Sequence, residues 1–268
     1  MRDLKALSGR KLPAPRALLL DFGGVIVETA KVPGWEALLA GEVARRLEGV
    51  ADAPGLEQVA RDIGFGARAD SHWKDAMSRP FAPRELTHAE FWGDFVAADW
   101  PAAARAAVVA DATELCRRMG HLRSARTLRD GMLDLLDAAD LARVPVGIVS
   151  NALSGRVHLD WLEENGLAGR FAVEIHSDEA GVRKPNPEMI HLATRALGID
   201  PGEAWYVGDN FDRDVLCGRR AGVGGIILME AKGTWDLPYE LDLRPDAIVA
   251  GPRELHALFS TAFGEVSA

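Results

Sequence analysis

Short apolar runs, each the length of one β-strand, constrain the fold of this chain more than any other feature of its sequence. The runs do not alternate with polar residues, which is typical of strands that are buried on both faces of a parallel sheet. Helical patterns separate the later runs, as the crossovers of a parallel sheet require. The runs predict strands at residues 17–22, 144–149, 171–175, 204–207, 225–229 and 247–249.

Helix-start signals precede several of the helical patterns. Asn186 followed by Pro187 is typical of an N-cap with proline in the first turn, and Thr87 with Glu90 has the spacing of a capping box. Ser154 is a third candidate cap. From about residue 144 onward the chain therefore has the strand and helix alternation of a doubly wound, Rossmann-like α/β fold.

A long stretch between the first two predicted strands interrupts this alternation. It holds more than a hundred residues with several amphipathic helical patterns and no convincing strand, so it is too long for a simple crossover. We predict that residues 16–29 and 126–268 form the α/β core and that residues 30–125 form an inserted all-helical domain. Residues 1–15 are predicted to be a flexible tail.

Charge and cysteine content exclude several classes of function. A net charge of −9 opposes binding to nucleic-acid phosphates and to anionic membrane surfaces. No apolar run approaches the ~20 residues that span a bilayer. Cys116 and Cys217 are too few for a disulfide framework or a cysteine zinc site, which indicates a reducing cytoplasm. We therefore expect a cytoplasmic protein without nucleic-acid or membrane partners.

Polar residues end three of the predicted strands. Asp21 ends the first, Ser150 and Asn151 end the second, and Asp209 follows the fourth, with Asp214 five residues later. In an open parallel sheet, ligands bind beyond the carboxyl ends of the strands. Carboxylates that converge there repel one another unless a cation lies among them. An all-oxygen set with few carboxylates suits Mg²⁺ that also binds a substrate phosphate.

A lysine in the loop after the third predicted strand adds a candidate phosphate-binding group. Lys184 could bind phosphate oxygens together with the Ser150 hydroxyl and nearby main-chain N–H groups. Asp21 is then the candidate nucleophile. A carboxylate that attacks phosphorus divides a difficult displacement into two easier steps through an aspartyl-phosphate.

Four segments in this order resemble the motifs of the haloacid dehalogenase (HAD) superfamily. The resemblance covers nearly the whole α/β part of the chain. Most members of the superfamily are Mg²⁺-dependent phosphatases with an aspartate nucleophile, and the helical insertion matches the helical cap that closes over their site. The segments are LLLDFGGVI at 18–26, IVSN at 148–151, SDEAGVRKPNP at 177–187 and YVGDNFDRD at 206–214.

The resemblance implies a role for each matching residue. Asp21 becomes the nucleophile and a metal ligand, and Asp209 becomes a second metal ligand. Asp214 would bind the metal or a metal-bound water, or hold Lys184. Lys184, Ser150 and Asn151 would bind the substrate phosphate, and Lys184 would also stabilise the intermediate.

One position departs from the pattern of the superfamily. Phosphatases of this type usually carry a second aspartate two residues after the nucleophile, which protonates the leaving group and then activates water. Here that residue is Gly23, whose carbonyl could still bind metal but whose side chain supplies no acid. A positioned general acid contributes typically 10²–10⁴-fold. The substrate then has a good leaving group, or Glu28 or a cap residue replaces the acid, or catalysis is absent.

The predicted function is therefore Mg²⁺-dependent hydrolysis of a small phosphorylated metabolite through an aspartyl-phosphate on Asp21. A catalytically silent HAD-like binding protein is the alternative from another class, and Gly23 is its main support. A 2-haloacid dehalogenase is the enzymatic alternative. Because carbon–halogen hydrolysis needs no metal, Asp209 and Asp214 argue against it.

Overall fold

The computed structural model describes residues 12–236 and 242–264, whose strands and helices alternate along most of the chain. In chain order, the strands are β1 (Ala17–Leu20), β2 (Val27–Lys31), β3 (Ser124–Leu128), β4 (Val146–Ser150), β5 (Val173–His176), β6 (Ala204–Gly208), β7 (Gly225–Met229) and β8 (Ala247–Val249). The helices are α1 (Trp35–Arg46), α2 (Leu56–Met77), α3 (His88–Glu90), α4 (Ala102–Ala110), α5 (Ala112–Arg123), α6 (Met132–Ala142), α7 (Arg156–Glu164), α8 (Ser177–Ala180), α9 (Glu188–Leu197), α10 (Leu216–Ala221) and α11 (Pro252–Ala262).

Six of these strands form a parallel sheet in the order β5-β4-β1-β6-β7-β8. The sheet grows outward from β1 in both directions, which is the doubly wound Rossmann-like order. Leu20 at the end of β1 pairs with Ile148 of β4 on one side and with Val207 of β6 on the other. The predicted fold class is confirmed. The ends of β4, β1 and β6 lie side by side at the point where the strand order reverses.

Burial on both faces explains the continuous apolar runs. Leu18 and Leu20 point into a core that includes Met132 of α6 and Phe259 of α11. Leu19 points to the opposite face and packs in the core that contains Met189 and Ile190 of α9. Because successive residues of a strand face opposite sides, a sheet covered by helices on both faces needs apolar residues at every position.

Two strands outside the main sheet were not predicted. β2 and β3 pair antiparallel, with Lys31 opposite Ser124 and Val27 opposite Leu128, and the whole helical segment lies between them. Four of the five residues of β2 are exposed, and the sequences VETAK and SARTL carry no apolar alternation. A ribbon that lies at the surface needs no apolar face, so its sequence lacks the pattern that reveals a buried strand.

The helical segment α1–α5 has a hydrophobic core of its own. Thr87 and Glu90 form the predicted capping box: the Thr87 side chain accepts from the Glu90 N–H, and the Glu90 carboxylate accepts from the Thr87 N–H. The helix α3 continues into a π-helical turn at Phe91–Val96. This core includes Trp35, Leu39, Phe91, Trp92, Trp100, Leu115 and Met119.

The predicted caps in the second half of the chain have mixed outcomes. The Oδ1 of Asn186 accepts from the Glu188 N–H at 3.0 Å at the start of α9, but the N-cap position is Pro187, one residue later than predicted. The prediction of Ser154 as a cap is wrong, because α7 starts at Arg156 without a side-chain cap. The carboxylate of Asp178 instead accepts from the Gly155 N–H at 3.0 Å.

The predicted tail over residues 1–15 falls mostly outside the described residues, which start at residue 12. Leu12 is buried in the main core, and the carbonyl of Pro13 accepts a hydrogen bond of 3.0 Å from the indole of Trp205. Residues 12–15 therefore pack against the sheet. Within the part of the chain that the structure describes, no helix has both the length and the apolar character needed to cross a lipid bilayer.

Candidate active site

Three carboxylates meet at the carboxyl edge of the sheet. Asp21 follows β1, Asp209 follows β6, and Asp214 lies in the π-helical turn Phe211–Val215 that comes next. One oxygen from each carboxylate lies within 4.8 Å of the others. The strand order brings them together, because β1 and β6 are neighbours whose ends lie at the same edge.

Lys184 connects two of these carboxylates. Its Nζ lies 2.9 Å from Oδ1 of Asp21 and 2.7 Å from Oδ1 of Asp214. The same Nζ donates to the Val149 carbonyl at 3.1 Å and to the Tyr206 hydroxyl at 2.9 Å. Because the lysine side chain is almost completely buried, these oxygens hold its charge in one place.

The charges of this cluster change the protonation of its members. Burial, together with the charges of Asp214 and Asp21, raises the pKa of Asp209 to about 8. Burial also raises the pKa of Asp21, against the opposing effect of Lys184. Burial acts to lower the pKa of Lys184, but Asp21 and Asp214 outweigh it and the pKa lies above its ordinary value. Without a bound cation, Asp209 is therefore mostly protonated at neutral pH, and a cation bound among the three carboxylates would take the place of that proton.

Tyr206 is a member of the cluster that the sequence did not reveal. Its hydroxyl donates to Oδ1 of Asp214 at 2.7 Å and accepts from Lys184. The second oxygen of Asp214 accepts from the Asn210 N–H at 3.0 Å. Asp214 is thus held by three donors, which fixes it beneath Asp209 and Asp21. In the sequence, Tyr206 belongs to an apolar strand run, and nothing there distinguishes it from a core aromatic residue.

The predicted phosphate-binding residues lie beside Asp21. Ser150 is buried at the end of β4, the strand adjacent to β1. The side chain of Asn151 makes two hydrogen bonds with the main chain of Lys184: its Oδ1 accepts from the Lys184 N–H at 2.8 Å, and its Nδ2 donates to the Lys184 carbonyl at 3.1 Å. Asn151 therefore fixes the loop that carries the lysine.

The loop after β1 passes directly over Asp209. Gly24 has a left-handed φ of +78°, and a Cβ atom on it would overlap the Asp209 carboxylate. Gly23 has neither constraint, because its φ is not left-handed and a Cβ atom there would meet nothing within 4 Å. The site therefore requires glycine at position 24 and has open space for a side chain at position 23.

This difference between Gly23 and Gly24 predicts that alanine lowers the stability of the protein at position 24 but not at position 23. Gly24→Ala should lose roughly 1–2 kcal/mol from the left-handed backbone alone, and more from the contact with Asp209. Gly23→Ala should leave the unfolding temperature unchanged, because the methyl group enters empty space. Thermal unfolding of both variants without added metal measures the contrast. Equal unfolding temperatures would show that the loop can move away from Asp209.

Two adjoining cavities open over these residues. The first, of about 310 Å³, is lined by Asp21, Gly23, Asn151, Lys184, Asp209, Asn210, Arg213, Asp214, Lys232, Gly233 and Asp236. The second, of about 300 Å³, shares Gly23, Asp209 and Lys232 with the first and adds Gly24, Glu28, Thr29, Arg129 and Ala231. All of these residues lie outside α1–α5.

A larger cavity, of about 450 Å³, lies elsewhere, between α5 and α7. Asp160 and several of the other charged residues that line it are paired with one another. Asp160 accepts from Arg117, His121 and Arg156 at 2.7, 2.8 and 2.9 Å. This cavity lacks the converging carboxylates and the buried lysine, so we assign the candidate site to the carboxyl edge of the sheet.

A doubly wound sheet with an acid–lysine cluster at its switch point defines an α/β protein with a ligand site at the carboxyl edge of the sheet. The family model of haloacid dehalogenase-like hydrolases matches residues 15–222. The chain belongs to this family, and the resemblance drawn from its four motifs is confirmed.

Relatives with assigned activities match parts of the chain or most of it. The chain is 37% identical over 208 residues to an N-acetylmuramic acid 6-phosphate phosphatase of Pseudomonas aeruginosa, a match that covers 77% of this chain and 78% of the relative. It is 39% identical over 90 residues to a glyceraldehyde 3-phosphate phosphatase of Methanopyrus kandleri, which covers 34% of this chain. The chain spans only 39% of the length of that second relative, and less than two thirds of several others.

A solved structure shares the fold over nearly the whole chain. The 2-haloacid dehalogenase of Pseudomonas syringae superimposes with a TM-score of 0.57 and 18% identity, and the match covers 91% of this chain and 98% of the dehalogenase. At this level of identity the likeness concerns the fold alone.

Proposed function

We propose that the protein is a Mg²⁺-dependent phosphatase that hydrolyses a small phosphorylated metabolite with Asp21 as the nucleophile. The observation that carries this proposal is the cluster of three carboxylates around one buried lysine, next to a cavity large enough for a small ligand. A dehalogenase needs no cation, whereas this cluster has an excess of carboxylates that a cation would balance.

The donor set suits a hard divalent ion. Asp21, Asp209 and Asp214 would hold Mg²⁺ together with the carbonyl of Gly23, and water and a phosphate oxygen would complete its oxygen shell. The raised pKa of Asp209 supports this assignment, because burial beside the carboxylates of Asp214 and Asp21 makes a further negative charge unfavourable until a cation lies among them. When bound, Mg²⁺ would supply charge neutralisation for the phosphoryl group.

Asp21 is held in an orientation that suits attack. Its Oδ1 accepts from the Phe22 N–H at 2.8 Å and from Lys184, so rotation of the carboxylate is restricted. The other oxygen would attack phosphorus in line and form an aspartyl-phosphate, while the bond between phosphorus and the leaving-group oxygen breaks and that oxygen takes a proton from water or from the replacement acid and departs as an alcohol. A water molecule would then hydrolyse this acyl phosphate and regenerate the carboxylate.

The remaining residues would bind the phosphoryl oxygens. Lys184 would screen their charge, the Ser150 hydroxyl would donate to one of them, and Asn151 would contribute its main-chain N–H while its side chain holds Lys184. Preorganised donors of this kind lower the barrier because they need no rearrangement during the reaction.

The helical segment is proposed as the cap of this site. We divide the chain into an α/β core of residues 16–29 and 126–268 and a helical cap of residues 30–125. The separate hydrophobic core of α1–α5 supports the division. Both cysteines are buried and unpaired, which supports a reducing, cytoplasmic location.

The proposed substrate is the phosphomonoester of a small sugar or sugar-like metabolite. The two relatives described above are named as phosphatases of N-acetylmuramic acid 6-phosphate and glyceraldehyde 3-phosphate. Gly23 adds a chemical preference, because without an acid at that position good leaving groups react faster than simple alkoxides. Glu28, which lines the adjoining cavity with Gly23 and Asp209, is the candidate replacement acid.

Hydrolysis of p-nitrophenyl phosphate tests the proposal, since this leaving group needs little acid assistance. We expect turnover with Mg²⁺ and none with EDTA. Gly23→Asp should accelerate hydrolysis of a sugar 6-phosphate by up to about 10²-fold while changing p-nitrophenyl phosphate turnover little. Gly23→Asn is the matched control, because it fills the same space without an acidic proton. No turnover from folded protein that binds Mg²⁺ would favour the silent binding protein.

A further inference from the structure

Arg129 connects three loops at the edge of the active site. It directly follows β3, and its guanidinium donates to the carbonyl of Gly24 after β1, to that of Glu230 after β7 at 3.0 Å, and to that of Ala250 after β8 at 3.0 Å. Its own N–H donates to the Ile26 carbonyl at 3.0 Å, which closes the loop after β1 against β3.

This arrangement uses properties that only arginine has. A guanidinium presents five N–H donors in a planar fork, so it can hold carbonyls that approach from different directions. A lysine ammonium at the same position keeps the charge, but it lacks the fork that reaches three separate loops. Burial lowers the pKa of Arg129, with Glu28 and Asp209 opposing this effect, and an arginine remains charged under such a shift.

The loop that Arg129 holds is the one that borders the carboxylates. The Gly24 N–H donates to the Val27 carbonyl at 2.8 Å, so Gly24 is fixed on one side by Val27 and on the other by Arg129. Gly24 lies against the Asp209 carboxylate so closely that no Cβ atom fits. Movement of this loop would therefore displace Gly23 and free Asp209 at the same time.

We propose that Arg129 is a positioning residue that raises the affinity of the acidic site for a divalent cation by fixing the Gly23–Gly24 loop against Asp209. The inference rests on the proposed function, because it takes the carboxylate cluster to be a Mg²⁺ site. Residues that orient metal ligands without touching the metal typically contribute 10–100-fold to metal affinity.

The test is a titration of the protein with MgCl₂ in the absence of substrate, in which calorimetry measures the Kd for Mg²⁺. We expect the Kd for Mg²⁺ to rise about 10–100-fold in Arg129→Met, and less in Arg129→Lys, which keeps the charge near Asp209. The kcat for p-nitrophenyl phosphate should recover at saturating Mg²⁺. A structural role alone would lower stability without changing the Kd.

Arg126→Met is the matched control. Arg126 lies on β3, the strand that Arg129 follows, and its guanidinium also donates to main-chain carbonyls, those of Gly120 and Ser124 at 3.0–3.2 Å, but not to that of Gly24. The Arg126→Met variant should be less stable than the unsubstituted protein, but its Kd for Mg²⁺ should be unchanged. An unchanged Kd for Mg²⁺ in both Arg129 variants would overturn this inference without affecting the proposed phosphatase function. Absence of Mg²⁺ binding by the unsubstituted protein would overturn the metal-dependent function itself.

Discussion

Asp21→Asn is expected to reduce the turnover of p-nitrophenyl phosphate on the order of 10⁴-fold or more, because an amide cannot form the acyl phosphate. The variant should unfold at a temperature no lower than that of the unsubstituted protein. Burial and the charge of Asp214 both oppose ionisation of Asp21, so a neutral side chain removes an unfavourable charge from the folded state. Activity and thermal unfolding measured on the same preparation separate lost chemistry from lost folding.

A direct assay for the intermediate completes this prediction. Borohydride added during turnover should reduce the acyl phosphate and convert residue 21 to homoserine, which peptide mass spectrometry detects. Asp21→Glu is the control, because it keeps a carboxylate but moves it relative to Lys184 and should restore little activity. Substantial turnover by Asp21→Asn, or labelling at another carboxylate, would contradict the role of Asp21 as nucleophile.

Arg183→Met is the substitution with the largest expected effect on stability. Arg183, directly before Lys184, pairs with Glu85 of the helical segment at 2.7 Å, and the side chains are only 1% and 3% exposed. Glu85 also accepts from the Ser177 hydroxyl and from the Leu86 N–H. Removing one partner of a buried pair leaves an uncompensated charge and costs about 3–5 kcal/mol. We expect the unfolding temperature to fall by roughly 6–20 °C.

Two further variants test whether the loss of stability in Arg183→Met comes from the uncompensated charge of Glu85. Arg253→Met removes the partner of Asp130 from an ion pair that is 66% and 80% exposed, and it should leave the unfolding temperature nearly unchanged, because water screens the pair. The double variant Arg183→Met with Glu85→Gln should recover most of the lost stability, since glutamine still accepts from Ser177 without a charge. Equal losses for Arg183→Met and Arg253→Met would show that Glu85 becomes solvated when Arg183 is removed.

The sequence predicts the main sheet and the positions of the carboxylates well, because both depend on local patterns. A strand covered on both faces must be apolar throughout, and each run of this kind in the chain became a strand of the sheet. Asp21 and Asp209 could be placed together from strand order alone, since parallel strands present their carboxyl ends at one edge.

Contacts between distant segments could not be predicted. The pairing of Glu85 with Arg183 joins residues 98 positions apart, and each of them alone has the sequence context of a surface charge. Tyr206 resembles any aromatic residue of a buried strand until its hydroxyl is located beside Lys184. Arg129 follows an exposed strand that has no apolar pattern, and its three carbonyl partners come from loops on separate strands.

The ribbon of β2 and β3 gives the protein a natural site for recombination. The chain leaves towards α1 at Lys31 and returns at Ser124, and these residues are paired across the ribbon. Paired residues of antiparallel strands have Cβ atoms only about 5 Å apart, so a compact unit whose two ends are equally close could replace the helical segment if it also supplied a partner for Arg183. The strand order of the sheet would be unaffected by such an exchange. The acid–lysine cluster and the residues that line the two cavities over it could therefore stay constant while the segment inserted in the ribbon diversifies.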